Sequence, residues 1–252
     1  MLALILMTVT FIEVRFDPIA IDAHWNGTPL PPCFVNAGAC YGHRLGTDEI
    51  GRDILARLMQ GGRVSLGLAL IAAVLAVVFG IITGMIARFG GSIPRFIVQR
   101  FAAAVSCFPA WACMLVMMAI IPASRSNLSV FVLAALAALL FSARITEIVS
   151  VASEVHRTVA ALLNQGFLDW TQMIALFAAI DYVGIGIQPP TASWGNMLCD
   201  SYENITIAWW AAVFPLVCLF GAILVIEIER RLLFTQVGSP SKRAQFPNQL
   251  NY

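Results

Sequence analysis

The chain has 252 residues, of which 60% are hydrophobic and only 12% charged, with a formal net charge of +1. A mean hydropathy of +0.83 excludes a water-soluble domain, which would have to wear that composition as an apolar surface, and a charge so near zero gives no footing for nucleic acid or another polyanion. The expected fold is an all-helical bundle in a lipid bilayer.

Taken in chain order, the first apolar stretch, residues 2–12, is shorter than the roughly 17 to 25 residues a helical crossing needs. It has neither a basic segment before it nor a small-residue cleavage pattern after it, so it does not read as a signal peptide. Residues 1–16 are read as the cut-down remnant of a first membrane helix. Residues 17–47, rich in Pro, Gly, Asn and His, form an external loop. Within it Cys33 and Cys40 could close a small disulfide in an oxidising exterior, or stand as two free thiols. His24 and His43 lie close by, but their spacing matches no compact ligand set, so no metal is assigned. Cys107, Cys113, Cys199 and Cys218 sit in or beside apolar runs and read as packing residues.

Residues 48–62 have amphipathic helical periodicity: Ile50, Ile54, Leu55, Leu58 and Met59 share one face. Asp48 with Arg52, and Asp53 with Arg57, stand four apart with the acid first, the favourable order for helical pairs. The segment is read as an interfacial helix leading straight into a crossing. Uncharged runs at residues 64–87, 101–121 and 205–226 are long enough to span. Residues 128–143, extendable toward Val151, and 171–187 are shorter candidates, giving five or six crossings in all. Gly80 and Gly84 form a GxxxG that provides a close packing face without naming its partner. Pro109 and Pro215 would bend their helices. Asp181 lies inside the 171–187 run, where burial at mid-membrane would cost about 2.5 to 3.5 kcal/mol unless it reaches the interface.

Arginines near the helix ends give a modest orientation bias. With the amino terminus inside, Arg88, Arg95, Arg100, Arg144, Arg157, Arg230, Arg231, Lys242 and Arg243 are cytoplasmic. Residues 229–252 then form a cytoplasmic tail, and residues 63–228 the membrane domain.

Two polar motifs interrupt this apolar chain: Gly46-Thr47-Asp48-Glu49-Ile50-Gly51-Arg52-Asp53, and Gln188-Pro189-Pro190-Thr191-Ala192-Ser193-Trp194-Gly195-Asn196. With His43-Arg44-Leu45 before the first, Gly61-Gly62-Arg63 after it, Phe108-Pro109 in the third run and Gly184-Ile185-Gly186 before the second, they resemble the peptide-type permeases of ATP-binding-cassette (ABC) importers. The resemblance is to the second permease subunit of dipeptide, oligopeptide and nickel systems, and covers most of the chain. It implies a type I importer permease fold in a bacterial-type cytoplasmic membrane. It also implies a second permease subunit, two ATP-binding subunits and an extracytoplasmic solute-binding protein as partners. Substrate is implied to pass along a path shared by the two permeases, and the stretch from Gln188 to Met197 is expected to cap its outer mouth with Trp194 anchored at the interface.

The family's ATPase-coupling loop is best matched by residues 159–170, within a cytoplasmic segment 144–170. Ala160, Ala161, Gly166 and Asp169 are its expected contact positions. The chain departs from the family pattern here: Ala160 stands where the family has a glutamate, the Leu-Pro beyond the glycine is absent, and the stretch between Trp170 and Gly184 is short by about 20 residues, roughly one crossing. Two functions therefore stay in view, a working permease subunit and a permease descendant serving as a structural membrane subunit of another complex. An enzyme is not favoured, because three histidines scattered along the chain, with no His-Glu-x-x-His spacing, assemble no nucleophile, base and stabiliser. No catalytic residue and no cofactor are assigned.

Overall fold

The computed structural model describes residues 17–22, 26–36, 41–107, 109–120, 126–152 and 154–234. The remnant helix at 1–16, His24, Cys40 and most of the carboxyl-terminal tail lie outside the described residues. The described elements are helices α1 (Ile54–Phe89), α2 (Ser92–Cys107), α3 (Ala110–Ile120), α4 (Ser126–Val151), α5 (Val155–Tyr182), α6 (Trp194–Ser201) and α7 (Trp209–Phe234).

α1 has 36 residues, roughly 54 Å at 1.5 Å per residue. A hydrocarbon core is about 30 Å thick, so α1 spans it with several turns to spare. This corrects the expected interfacial helix over 48–62. Residues 48–53 are turn and bridge, the helix starts at Ile54, and it runs unbroken into the crossing. The start is set by Asp53, whose side chain caps the helix by accepting from Ala56 N at 2.7 Å.

The GxxxG acquires its partner in α4. A Cβ on Gly80 would meet Ile145 Cβ at 2.5 Å, and one on Gly84 would meet Val149 Cβ at 2.5 Å, so only glycine lets the two helices come this close. Where they touch, Thr83 and Thr146 hydroxyls are hydrogen-bonded at 2.6 Å. Ala69, Ala72, Ala73, Ala76, Ala134, Ala137 and Ala138 continue the seam and are all buried. Small residues serve here because lipid tails supply no hydrophobic pressure between helices and close backbone packing must replace it.

The expected crossing at 101–121 is broken. α2 and α3 meet at an 81° bend beside Pro109, whose ring removes a backbone donor and disfavours helix in the residue before it. Pro215, by contrast, is tolerated inside α7. Residues 128–143 do extend toward Val151, as α4. Residues 171–187 are not a separate crossing: they belong largely to α5, which starts at Val155.

Three described helices are long and apolar enough to cross a membrane, Ile54–Phe89, Phe131–Val151 and Trp209–Phe234, and a fourth crossing results if the bent α2–α3 pair counts as one. Large apolar side chains cover their outward faces. On α1 these include Ile71, Val74, Val78, Ile82 and Met85, and on α7 Val217, Phe220 and Leu224. Such a surface is stable against lipid or another apolar helix and not against water.

Candidate functional site

The first motif folds as a tight polar knot at the head of α1. Gly46 has φ +79°, and a Cβ there would lie 2.6 Å from Leu30 O and 3.0 Å from Trp210 Nε1, so both the backbone and the space demand glycine. That approach allows Thr47 to tie the 17–47 loop down twice: its N–H donates to Leu30 O at 3.0 Å and its hydroxyl accepts from Leu30 N at 2.8 Å. Trp210 Nε1, at the head of α7, donates to Thr47 O at 3.1 Å.

Asp48 organises the turn. Its Oδ1 accepts from Ile50 N at 3.1 Å and Arg52 N at 2.8 Å, while Oδ2 accepts from Arg52 Nε at 2.6 Å and from Arg57. Arg57 also reaches Asp200 at the end of α6 at 3.0 Å, and Arg52 approaches the same carboxylate at 3.5 Å. Two acids and two arginines thus close a neutral quartet. The expected Asp53–Arg57 pair does not form: Asp53 Oδ2 is occupied as the α1 cap and its Oδ1 meets His43 Nδ1 at 2.7 Å. His43, buried, bridges onward from its Nε2 to Asp22 at 2.8 Å. The Asp48–Arg52 pair does form, across a turn instead of along a helix. Beside the quartet, burial pushes the Glu49 carboxyl up to about 7, helped by the neighbouring charges of Asp48 and Asp200.

The second motif is organised by Asp181. Its Oδ1 accepts from Ile187 N at 2.7 Å, and Ser193 is its side-chain hydrogen-bond partner. Ser193 Oγ in turn accepts from Asn196 N at 3.1 Å, while Asn196 Oδ1 accepts from Ser193 N at 2.8 Å, a reciprocal cap on α6. Asn196 Nδ2 donates to Thr191 O at 2.8 Å, and Gln188 Nε2 donates to Gly184 O at 2.8 Å. Gly195 lies against Ala178 O and Asp181 Cβ, with no room for a side chain. Pro189 and Pro190 are exposed at the tip. Asp181 is therefore buried and spent on holding this loop.

Both motifs meet at one end of α1. Trp194 N donates to Ser65 Oγ at 3.2 Å, Trp194 Nε1 to Leu58 O at 3.0 Å, and Ala192 N to Gln60 Oε1 at 3.3 Å. Trp194 is 2% exposed, which corrects its expected role as an interfacial anchor: its indole N–H is satisfied by α1 backbone inside the protein. Sequence reasoning missed Asp200, Trp210, Gln60 and Ser65. Each lies far along the chain from the group it binds, and nothing in local spacing announces such a pairing.

The expected coupling positions lie elsewhere. Ala160 and Ala161 are half-buried in the first turns of α5, among the exposed Val155, His156, Arg157, Val159 and Leu163. Gly166 packs on Val77, and Trp170 Nε1 donates to Leu66 O at 3.3 Å, so this part of α5 lies along the spanning part of α1. Gly166 and Trp170 thus lie within one continuous helix and not on a loop. Asp169 has no exposed surface; its Oδ1 accepts from Gln165 Nε2 at 2.7 Å and its Oδ2 has no partner. An apolar groove of about 490 Å³ separates α1 from α5, with Val77, Leu163 and Phe167 among its walls.

Cys33 is disulfide-bonded, while its expected partner Cys40 lies outside the described residues. Cys107, Cys113, Cys199 and Cys218 are free. The chemistry of the motif junction is bracing: its carboxylates, guanidiniums and indoles are committed to one another and to backbone.

No family model matches the chain. Among curated proteins it is 31% identical over 245 residues to the dipeptide transport system permease protein DppC of Escherichia coli K12, covering 83% of this chain and 80% of that one. It is 28% identical over 222 residues to the di/tripeptide transport system permease protein DppC of Pseudomonas aeruginosa, covering 79% and 72%. The glutathione transport system permease protein GsiD of Pectobacterium atrosepticum is 24% identical over 217 residues, covering 77% and 71%.

Proposed function

Because the chain belongs to the DppC-type permeases of peptide ABC transporters, membrane subunits that are not themselves enzymes, we propose that it forms half of a solute translocation path for short peptides. The path is completed by a second permease subunit in a bacterial cytoplasmic membrane, driven by two ATP-binding subunits and supplied by an extracytoplasmic solute-binding protein. In this reading the chain makes five or six crossings, residues 17–47 face outward, and the tail from 229 faces the cytoplasm. The motif junction is the observation that carries it. A load-sharing brace between α1, α6 and α7 suits a wall that must keep its shape while a neighbouring subunit moves against it.

ATPase contact in this reading falls on the first turns of α5, where Ala160 and Ala161 sit among exposed residues, while Gly166 packs against Val77 of α1 and Asp169 is buried. The continuity of α5 favours a second reading, a structural membrane subunit, since a docking segment fused into a packed helix has little freedom to transmit a stroke. Co-expression with a second permease, the ATPases and the binding protein of a dipeptide importer, followed by dipeptide uptake into proteoliposomes, separates the two. ATP-dependent accumulation is expected. Co-purification with an unrelated complex, and no uptake, would establish the structural role.

A further inference from the structure

The break between α2 and α3 leaves a cavity of about 300 Å³, walled by Ser106, Cys107, Pro109, Phe141 and Arg144 among others. This lies at the small end of ligand-sized pockets. Arg144 is exposed and sits within the Phe131–Val151 span of α4. A guanidinium at that position is costly against lipid and calls for a polar cavity or an anion.

Its hydrogen-bonding is far from complete. Arg144 Nη1 donates to Gln172 Oε1 at 3.2 Å, and among the described residues it has no other hydrogen-bond or ion-pair partner. A guanidinium has five N–H donors in a rigid fork, so a planar face remains unused while Gln172 fixes its direction. Ser106 does not compete for that role, because its hydroxyl hydrogen is given to Ala102 O at 2.9 Å. The Arg144 charge is felt by Asp169, which is itself held through Gln165.

We infer that this cavity is a carboxylate site in which Arg144 receives the carboxyl terminus of a short peptide. The inference deepens the permease reading and rests on it for the ligand class. A planar, two-pronged donor suits a carboxylate.

The test is direct binding to the full chain in phosphatidylcholine nanodiscs, using trialanine and trialanine amide as probes. Trialanine should bind at least about tenfold more tightly than its amide, as expected for a charge-assisted pair. R144Q should bring the two to equal affinity, and R144K should retain part of the difference. Equal binding of the two probes by the unaltered chain would overturn the inference without relying on any variant folding. Full discrimination surviving in R144Q, no saturable trialanine binding up to millimolar concentration, or displacement of trialanine by added phosphatidylglycerol would each overturn it too, the last by assigning the site to a lipid headgroup. Uptake unaffected by R144Q would leave the permease reading standing and remove this site; amide-sensitive binding without any uptake would do the reverse.

Discussion

Arg57, whose side chain is buried, reaches two carboxylates at once, Asp48 in its own motif and Asp200 at the end of α6. Removing one member of a buried ion network leaves an uncompensated charge, which costs about 3 to 5 kcal/mol. Asp48→Asn is expected to fall in that range, because Asp48 also organises the turn through two backbone N–H groups. Asp200 is 26% exposed at its side chain, so Asp200→Asn should cost about 1 kcal/mol or less, screened by solvent. Denaturation in mild detergent measures both. Equal losses would mean that Asp200 is as deeply committed as Asp48.

Glu49 gives the same region a pH response. Its carboxyl is raised from 4.5 to about 7, so the folded chain holds this proton more tightly than the unfolded chain does. The resulting stability is fully present below about pH 4.5 and is lost as pH rises through about 7. Glu49→Gln should flatten that part of the stability profile, read as melting temperature against pH; an unchanged slope would assign the response to other groups. At this scale the motif residues themselves were legible in the sequence, since polar groups stand out in an apolar chain. Their partners were not. Asp53 looked like Arg57's helical mate four residues away, and only the fold reveals that capping and His43 claim it first.

At the scale of elements, the glycine pair of α1 decides how closely α4 can sit. Gly80→Val places a Cβ and two methyls where Ile145 already stands. The expected destabilisation is about 1 to 3 kcal/mol, as for other overpacked cores, and Ile145→Ala in the same chain should recover part of it. Thermal unfolding of the single and double variants measures this; simple additivity would show that the two positions do not touch. The GxxxG was visible as a packing face, and Pro109 and Pro215 were visible as sites of strain. Sequence could not say that Pro109 breaks its helix while Pro215 is absorbed. That depends on what neighbouring helices offer to freed backbone groups. Nor could local pattern reveal α5 as one helix, because the amphipathic start and apolar end of 155–182 read as two segments when taken separately.

For the whole molecule, the decisive feature is that α1 is longer than the membrane is thick, so its head and the two motifs bound to it stand together at one end of the bundle. Three to four candidate spans follow from hydropathy and length alone, which is why the membrane character was legible from composition. The approach of residues 192–194 and 200 to α1 was not, since contacts across more than a hundred residues leave no periodic trace. The joining of the motifs is open to side-specific labelling in intact cells. Ile50→Cys and Pro190→Cys, both at exposed positions, would be introduced separately into a chain in which Cys107, Cys113, Cys199 and Cys218 have been replaced, and treated with a membrane-impermeant maleimide. Both should react from outside without permeabilisation. If one reacts from outside and the other only after the membrane is opened, the two motifs stand on opposite faces and the brace described above does not exist.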